Sequence, residues 1–147
     1  MRLFEGKRWS RLAALAVLAS LVGAAGCGSG RYPVRGRVTY PDGSPLTEGN
    51  VIGQMGEGVT SVTVQGRVSS DGSFSWGTER AGDGAAPGKY RVMVVARALG
   101  DSELAKGMRP AVDPKYANPQ TSGIEFEVKP GRNELNFTVT RPVERKR

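Results

Sequence analysis

Histidine is absent from the 147-residue sequence, and cysteine occurs once, as Cys27. A Ser-His-Asp or Cys-His arrangement needs an imidazole that acts as a base near neutral pH, so neither can be built here. A lone cysteine forms no internal disulfide, which excludes a small scaffold held together by disulfides. Zinc and related metals lack their usual nitrogen and sulfur ligands as well.

Calcium and phosphate sites lack their characteristic sequences too. The aspartates are scattered, and no DxDxDG run supplies a calcium loop. Residues 82–89, GDGAAPGK, resemble a phosphate-binding loop, but the spacing is one residue too long. Tyr90 also stands where serine or threonine would ligate magnesium. We therefore expect no enzyme, no metal and no cofactor.

An apolar run long enough to span a membrane is also missing. Residues 12–26 form an uncharged apolar stretch of fifteen residues, whereas a spanning helix needs about 20. This stretch follows a basic start, residues 1–11, and ends in small residues before Cys27. A basic start, a short apolar run and small residues are the layout of a secretory signal peptide, which we predict over residues 1–26.

The residues around Cys27 change the prediction from secretion to anchoring. Residues 24–27, Ala-Ala-Gly-Cys, resemble the bacterial lipobox, although a larger aliphatic residue is usual where Ala24 stands. The resemblance implies a diacylglycerol on the Cys27 thiol, which would hold the protein on a membrane through a short tether, residues 27–30. Gly28 is not the aspartate that retains some lipoproteins in the inner membrane. We predict a lipid-anchored protein of the cell envelope, with the outer membrane favoured over the inner.

Positive charge is concentrated near the termini. Of the formal net charge of +7, residues 1–26 contribute +3 from four basic residues and one acid, leaving +4 for the rest. Residues 142–147 form a basic tail that can meet anionic lipid or phosphate, or can be a solvated terminus. Nucleic acid is not expected as a partner, because the predicted location is outside the cytoplasm.

Seven short stretches alternate apolar and polar residues, the pattern of strands with one buried face. They lie around 34–40, 51–55, 62–68, 74–76, 90–96, 124–128 and 135–139. Turn sequences such as Ser70-Asp71-Gly72 separate them, and Pro130-Gly131 predicts a hairpin between the last two. With 21 glycines and few aromatics, the chain is predicted to form a β-sandwich over residues 31–141.

One connection, residues 98–122, is much longer than the others and contains three prolines. Its residues 101–107 can form one or two helical turns, capped by Asp101 or Ser102 and ended by Gly107. Connections longer than about 12–15 residues are uncommon and often functional. This segment is therefore the place to look for a binding site.

Aromatic residues are the remaining candidates for ligand contact. Tyr116 lies in this long connection beside Lys115, and Arg109 precedes them. These three residues are the candidate ligand-binding set, for a sugar ring or an acidic polysaccharide. Trp76 alternates in phase with Phe74, which favours a place in the core.

Three motifs in sequence order resemble a known family. Residues 36–51, GRVTYPDGSPLTEGNV, resemble the opening of carboxypeptidase regulatory-like domains, and 71–74 and 87–92 resemble that family's internal landmarks. The closing segment, residues 114–131, is similar to small bacterial lipoproteins that carry one such domain. The resemblance implies an all-β fold: a seven-stranded transthyretin-like or Ig-like β-sandwich after a lipoprotein signal peptide. It implies no activity, and no binding residue is carried over.

Two hypotheses for the function follow. The first is a non-enzymatic envelope module, anchored to the membrane through lipid on Cys27, that contacts another envelope protein or has a structural role. The second is a glycan-binding lipoprotein that uses the 98–122 connection, with Tyr116, Lys115 and Arg109 as contacts.

Overall fold

The computed structural model describes residues 30–143, so the predicted signal peptide, Cys27, most of the tether and residues 144–147 lie outside the described residues. Nearly all regular structure within this range is strand. The seven strands are β1 (Val34–Thr39), β2 (Asn50–Met55), β3 (Val62–Arg67), β4 (Ser73–Ser75), β5 (Gly88–Val95), β6 (Ile124–Val128) and β7 (Asn133–Thr138). One short helix, α1 (Asp101–Ala105), and two 3-10 turns, Gly58–Thr60 and Pro114–Ala117, lie between strands.

The strands form two sheets, which confirms the predicted all-β sandwich. One sheet has the order β4–β1–β7, with β1 antiparallel to β4 and parallel to β7. The other is antiparallel throughout, in the order β3–β2–β5–β6. Each predicted strand falls on an observed one, because the alternation of apolar and polar residues matches the alternation of buried and exposed faces.

The predicted hairpin at Pro130-Gly131 is wrong. β6 pairs with β5, whereas β7 pairs with β1 in the opposite sheet, so this turn carries the chain across the sandwich. Asn133 holds the turn: its Oδ1 accepts from the Lys129 N–H at 2.9 Å, and its Nδ2 donates to the Lys129 carbonyl at 2.9 Å. A turn sequence marks a chain reversal but does not specify which strand the next one joins.

Trp76 occupies the centre of the core, directly after β4. Its side chain is fully buried, and its Nε1 donates to the Val51 carbonyl of β2 at 3.2 Å, across the two sheets. Three aromatic rings surround it at centroid distances of 5.5, 6.0 and 6.4 Å, those of Tyr90, Phe126 and Phe74. The assignment of Trp76 to the core is confirmed.

Two glycines make room for this packing. A Cβ on Gly53 of β2 would lie 2.7 Å from Cη2 of Trp76, so the indole rests against bare backbone. A Cβ on Gly66 of β3 would lie 2.5 Å from a backbone oxygen of β4, because the two sheets converge there. Beside it, Gln65 and Gly77 exchange two backbone hydrogen bonds of 2.9 Å. The β3–β4 edge of the sandwich is therefore closed by direct backbone pairing.

The strand directions define two ends of the sandwich. The tether end consists of Arg31, the loop 77–87, the turn 129–132 and the 3-10 turn at 58–60; β1, β5 and β7 begin there. The far end consists of the turns 40–49 and 68–72, the segment 96–123 and the chain after β7. The six residues of β1 separate the two ends by about 20 Å.

Candidate functional site

The helical turns predicted in the long connection are present as α1, Asp101–Ala105. The predicted cap is wrong, because Gly100 occupies the N-cap position that Asp101 or Ser102 was expected to fill. The Gly100 N–H donates to Oε2 of Glu103 at 2.9 Å, so the helix supplies its own acceptor from its first turn.

The segment 96–123 is bonded to the other parts of the far end at several points. Arg97 pairs with Glu48 of the turn 40–49, Nε to Oε1 at 3.3 Å. Within the segment it also pairs with Glu103, Nη2 to Oε1 at 2.7 Å, and this guanidinium, together with the N–H bond described above, lowers the pKa of Glu103 to about 2. The Tyr40 hydroxyl donates to a carbonyl of the segment at 2.9 Å. The Asp113 N–H donates to the Thr140 carbonyl, also at 2.9 Å. These bonds make the segment part of the folded domain.

The residues predicted for ligand contact do not form an open aromatic site. Tyr116 lies in the 3-10 turn Pro114–Ala117, is only 7% exposed and belongs to the hydrophobic core. Lys115 lies over its ring, with Nζ 4.9 Å from the ring centroid. Arg109 is exposed on the stretch before this turn. Because the Tyr116 ring is buried, it offers no face on which a sugar can stack.

The other aromatic side chains of the described residues are placed similarly. Every aromatic side chain between residues 30 and 143 is buried or half-buried. Those outside the central cluster, Tyr32, Tyr40 and Phe137, are also buried or half-buried. Ring stacking is a common source of affinity for flat ligands, and residues 30–143 offer no fully exposed ring for it.

Arg31 fixes the start of the domain to the tether end. Its Nη1 donates to Oδ2 of Asp83 at 2.8 Å, and its Nη2 donates to Oε1 of Glu79 at 2.6 Å. The next residue, Tyr32, exchanges two backbone hydrogen bonds with Ala85, of 2.8 and 3.0 Å. The chain is therefore held to the sandwich from Arg31 onward.

Asp83 organises the loop 77–87 around its carboxylate. It accepts from the backbone N–H of Thr78 at 2.6 Å and from those of Glu79 and Arg80, each at 3.2 Å. These N–H groups, Thr78 foremost, and the charge of Arg31 hold the pKa of Asp83 below its usual value. The loop is therefore built around an ionised carboxylate.

A groove of about 750 Å³ lies on the outer face of the three-stranded sheet, along β1 and β7. Arg35 and Arg37 of β1 and Arg132 of the turn 129–132 line it. Arg37 pairs with Asp71, Nη2 to Oδ2 at 3.5 Å. Arg35 and Arg132 make no ion pair or side-chain hydrogen bond within residues 30–143. Two guanidinium groups at the tether end of the groove are therefore left with solvent.

Glu134 lies beside Arg35 in the β1–β7 pair, but the two make no ion pair in the described part of the chain. Its Oε1 instead accepts from Nδ2 of Asn136 at 2.6 Å, along its own strand. Asn136 is itself fixed, because its Oδ1 accepts from the Arg37 N–H at 2.9 Å. The arrangement leaves planar cationic groups that suit carboxylate or phosphate oxygens.

No group of three histidine, cysteine or acidic side chains in the described part of the chain is placed to hold a metal ion. Between residues 30 and 143, no helix is long and apolar enough to cross a membrane.

Comparison with known proteins gives little. No family model and no curated protein matches the chain. Among solved structures, it is similar to a DUF3823 family protein from Parabacteroides merdae, with 19% identity and a TM-score of 0.41. The match covers 76% of this chain but only 46% of that protein. No residue or function is transferred from it.

Two features were not predicted from the sequence: the bonds of Arg31 with Asp83 and Glu79, and the groove along β1 and β7. Arg31 and Asp83 are 52 positions apart, and nothing local links them. The loop containing Asp83 was rejected as a phosphate site, and no other use of its carboxylate was predicted. The alternation of β1 placed Arg35 and Arg37 outward correctly, but Arg132 joins them only because β7 pairs with β1.

Replacing Tyr116 distinguishes a core role from ligand contact. We expect Tyr116→Ala to lower the free energy of unfolding by about 3 kcal/mol, because it removes a buried ring. Lys115→Ala, an exposed neighbour, should leave stability nearly unchanged. Denaturant unfolding measures both. A Tyr116→Ala protein as stable as the wild type would contradict the core assignment.

Replacing Asp83 tests the loop through its pH dependence. The folded-state pKa of Asp83 lies below the unfolded value of about 3.9, so its stabilisation is complete above that value and is lost as pH falls through the folded pKa. We expect Asp83→Asn to be less stable at neutral pH and to lose less stability on acidification. Asp101→Asn, on the exposed first turn of α1, is the matched control. Parallel acid limbs for Asp83→Asn and wild type would contradict this role.

Proposed function

We propose that this chain is a lipid-anchored protein of the bacterial cell envelope, and that its β-sandwich is a non-enzymatic module that contacts another envelope protein or has a structural role. The lipid would be carried by Cys27 after removal of residues 1–26. The outer membrane is the favoured location, because Gly28 is not an inner-membrane retention signal.

The observation that carries this proposal is how soon the folded domain begins after Cys27. Three residues, 28–30, separate Cys27 from Arg31, and Arg31 is bound to Glu79 and Asp83. The short glycine-containing spacer between the lipobox-like cysteine and a fixed residue is what a surface-tethered domain needs. The apolar run before Cys27 then has a role as a leader.

The family resemblance supports the same class of protein. Gly43 and Gly72, in the turn landmarks of carboxypeptidase regulatory-like domains, both have φ near +83°, which favours glycine. Tyr90, in the third landmark, is 1% exposed in the core. The landmark residues thus have structural roles in this chain, in keeping with membership of that family as a domain without catalytic residues.

The same observations favour protein contact over glycan binding. The glycan hypothesis relied on Tyr116 in the connection 98–122, and that ring is buried. The absence of histidine from the whole sequence also argues against hydrolysis by a histidine-dependent site. The outer sheet faces are mostly polar, but Ile52, Met93 and Val95 adjoin one another on the four-stranded sheet. A tethered module with such a face suits contact with a neighbouring envelope protein.

The anchor is tested by intact mass and membrane fractionation of the protein from its native cells. We expect a mature chain that begins at Cys27, carries the added mass of acyl chains and sediments with membranes, because two or three acyl chains anchor stably. Cys27→Ala should lose the acyl mass.

The matched control for this experiment is Ser29→Ala, which changes the tether but retains the cysteine. It should be processed and retained like the wild type. A wild-type chain recovered without acyl mass from the soluble fraction would contradict the proposal.

A further inference from the structure

The length of the tether restricts which surface of the sandwich can meet the membrane. From Cys27 to Arg31 the chain has four Cα–Cα steps, which reach about 14 Å when fully extended. Arg31 is held at the tether end, and the far end lies about 20 Å beyond it. A lipid on Cys27 therefore keeps the tether end close to the bilayer.

Three exposed arginines lie at this same end. Arg132 lies in the turn 129–132, Arg35 lies at the start of β1, and Arg80 lies in the loop 77–87. All three are exposed, and their guanidinium groups make no ion pair within residues 30–143. Arg31 offsets one of the two carboxylates that it binds, those of Glu79 and Asp83, and Glu134 lies beside Arg35. Together with Arg31, these arginines exceed the three acids by one charge, and the guanidinium groups of Arg132, Arg35 and Arg80 remain free to bind an anion.

We propose that the tether end is a membrane-docking surface, on which Arg132, Arg35 and Arg80 bind the phosphates of anionic phospholipid headgroups. This proposal rests on the lipid anchor proposed above. Basic side chains near an anionic membrane surface are attracted to it, so these three arginines add to the orientation that the short tether already favours.

The docked orientation also determines what points away from the membrane. The segment 96–123 lies at the far end, and the chain leaves β7 there, beside Asp42, which pairs with Arg141 at 3.6 Å. The basic tail then begins at the end opposite the tether.

Single labelled cysteines test the orientation in the lipidated full chain. Lipidation occupies the thiol of Cys27, so an introduced cysteine is the sole site for a fluorescent label. Ala81→Cys marks the tether end, and Ala105→Cys marks the far end; both alanines are exposed. In vesicles containing phosphatidylglycerol, a nitroxide on the lipid headgroup should quench the label at residue 81 several-fold more than the label at residue 105. Equal quenching at both positions would overturn the proposal.

Charge variants test whether the arginines cause this orientation. Arg35→Gln combined with Arg132→Gln should lower the quenching contrast clearly, although it should stay above one because the short tether still holds this end near the bilayer. Arg67→Gln combined with Lys106→Gln removes the same charge at the far end and should preserve the contrast. None of these four side chains makes a hydrogen bond or an ion pair within the described residues. Both double variants should therefore fold. A contrast unchanged by the first pair would overturn the role of the arginines.

Failure of docking is distinguishable from failure of the anchor. If the protein carries no acyl mass, the anchor proposal fails before any label is read. If the labelled protein is acylated and bound to vesicles but shows no contrast, the anchor stands and docking fails. Vesicles of phosphatidylcholine alone, which carry no net charge, should show a smaller contrast, as should high salt.

Discussion

The fully buried indole of Trp76 is the constraint on which the rest of this structure depends. Its Nε1 bonds to β2, its backbone N–H donates to the Val34 carbonyl at 2.9 Å, and its carbonyl accepts from the Gly84 N–H at 3.1 Å. One residue therefore joins the two sheets, the start of β1 and the loop 77–87. The position of Asp83, and through it of Arg31, follows from that loop. The tether end has a defined shape because Trp76 is buried.

Much of the fold could be predicted because strands have a local signature. The alternation of buried and exposed side chains repeats every two residues, so it is visible in any short stretch of sequence. Pairing is not local: Pro130-Gly131 looks like a hairpin turn, yet β7 joins β1, almost one hundred residues earlier. The parallel β1–β7 pair brings Arg132 beside Arg35, so that groove could not be predicted without the topology.

The candidate site was predicted less well, for a related reason. An aromatic residue in a long connection has the same sequence signature whether it faces solvent or folds back onto the core. Tyr116 folds back, because the bond from Asp113 to Thr140 draws its 3-10 turn against the far end. Which charged groups form ion pairs also depends on neighbouring side chains. Glu134 accepts a hydrogen bond from Asn136 and forms no ion pair with Arg35. Exposure and pairing, unlike strand position, are set by neighbours distant in sequence.

Native-state hydrogen exchange most directly tests the claim that Trp76 and the tether end form one rigid unit. The protons to compare are the indole N–H of Trp76 and the backbone N–H groups of Tyr32 and Ala85, which bond to each other's carbonyls. We expect all three to exchange only through global unfolding, with the same opening free energy. If Tyr32 and Ala85 exchange through a local opening of much lower free energy while Trp76 stays protected, the tether end is not fixed to the sandwich. The structural basis of a defined membrane-facing end would then be lost.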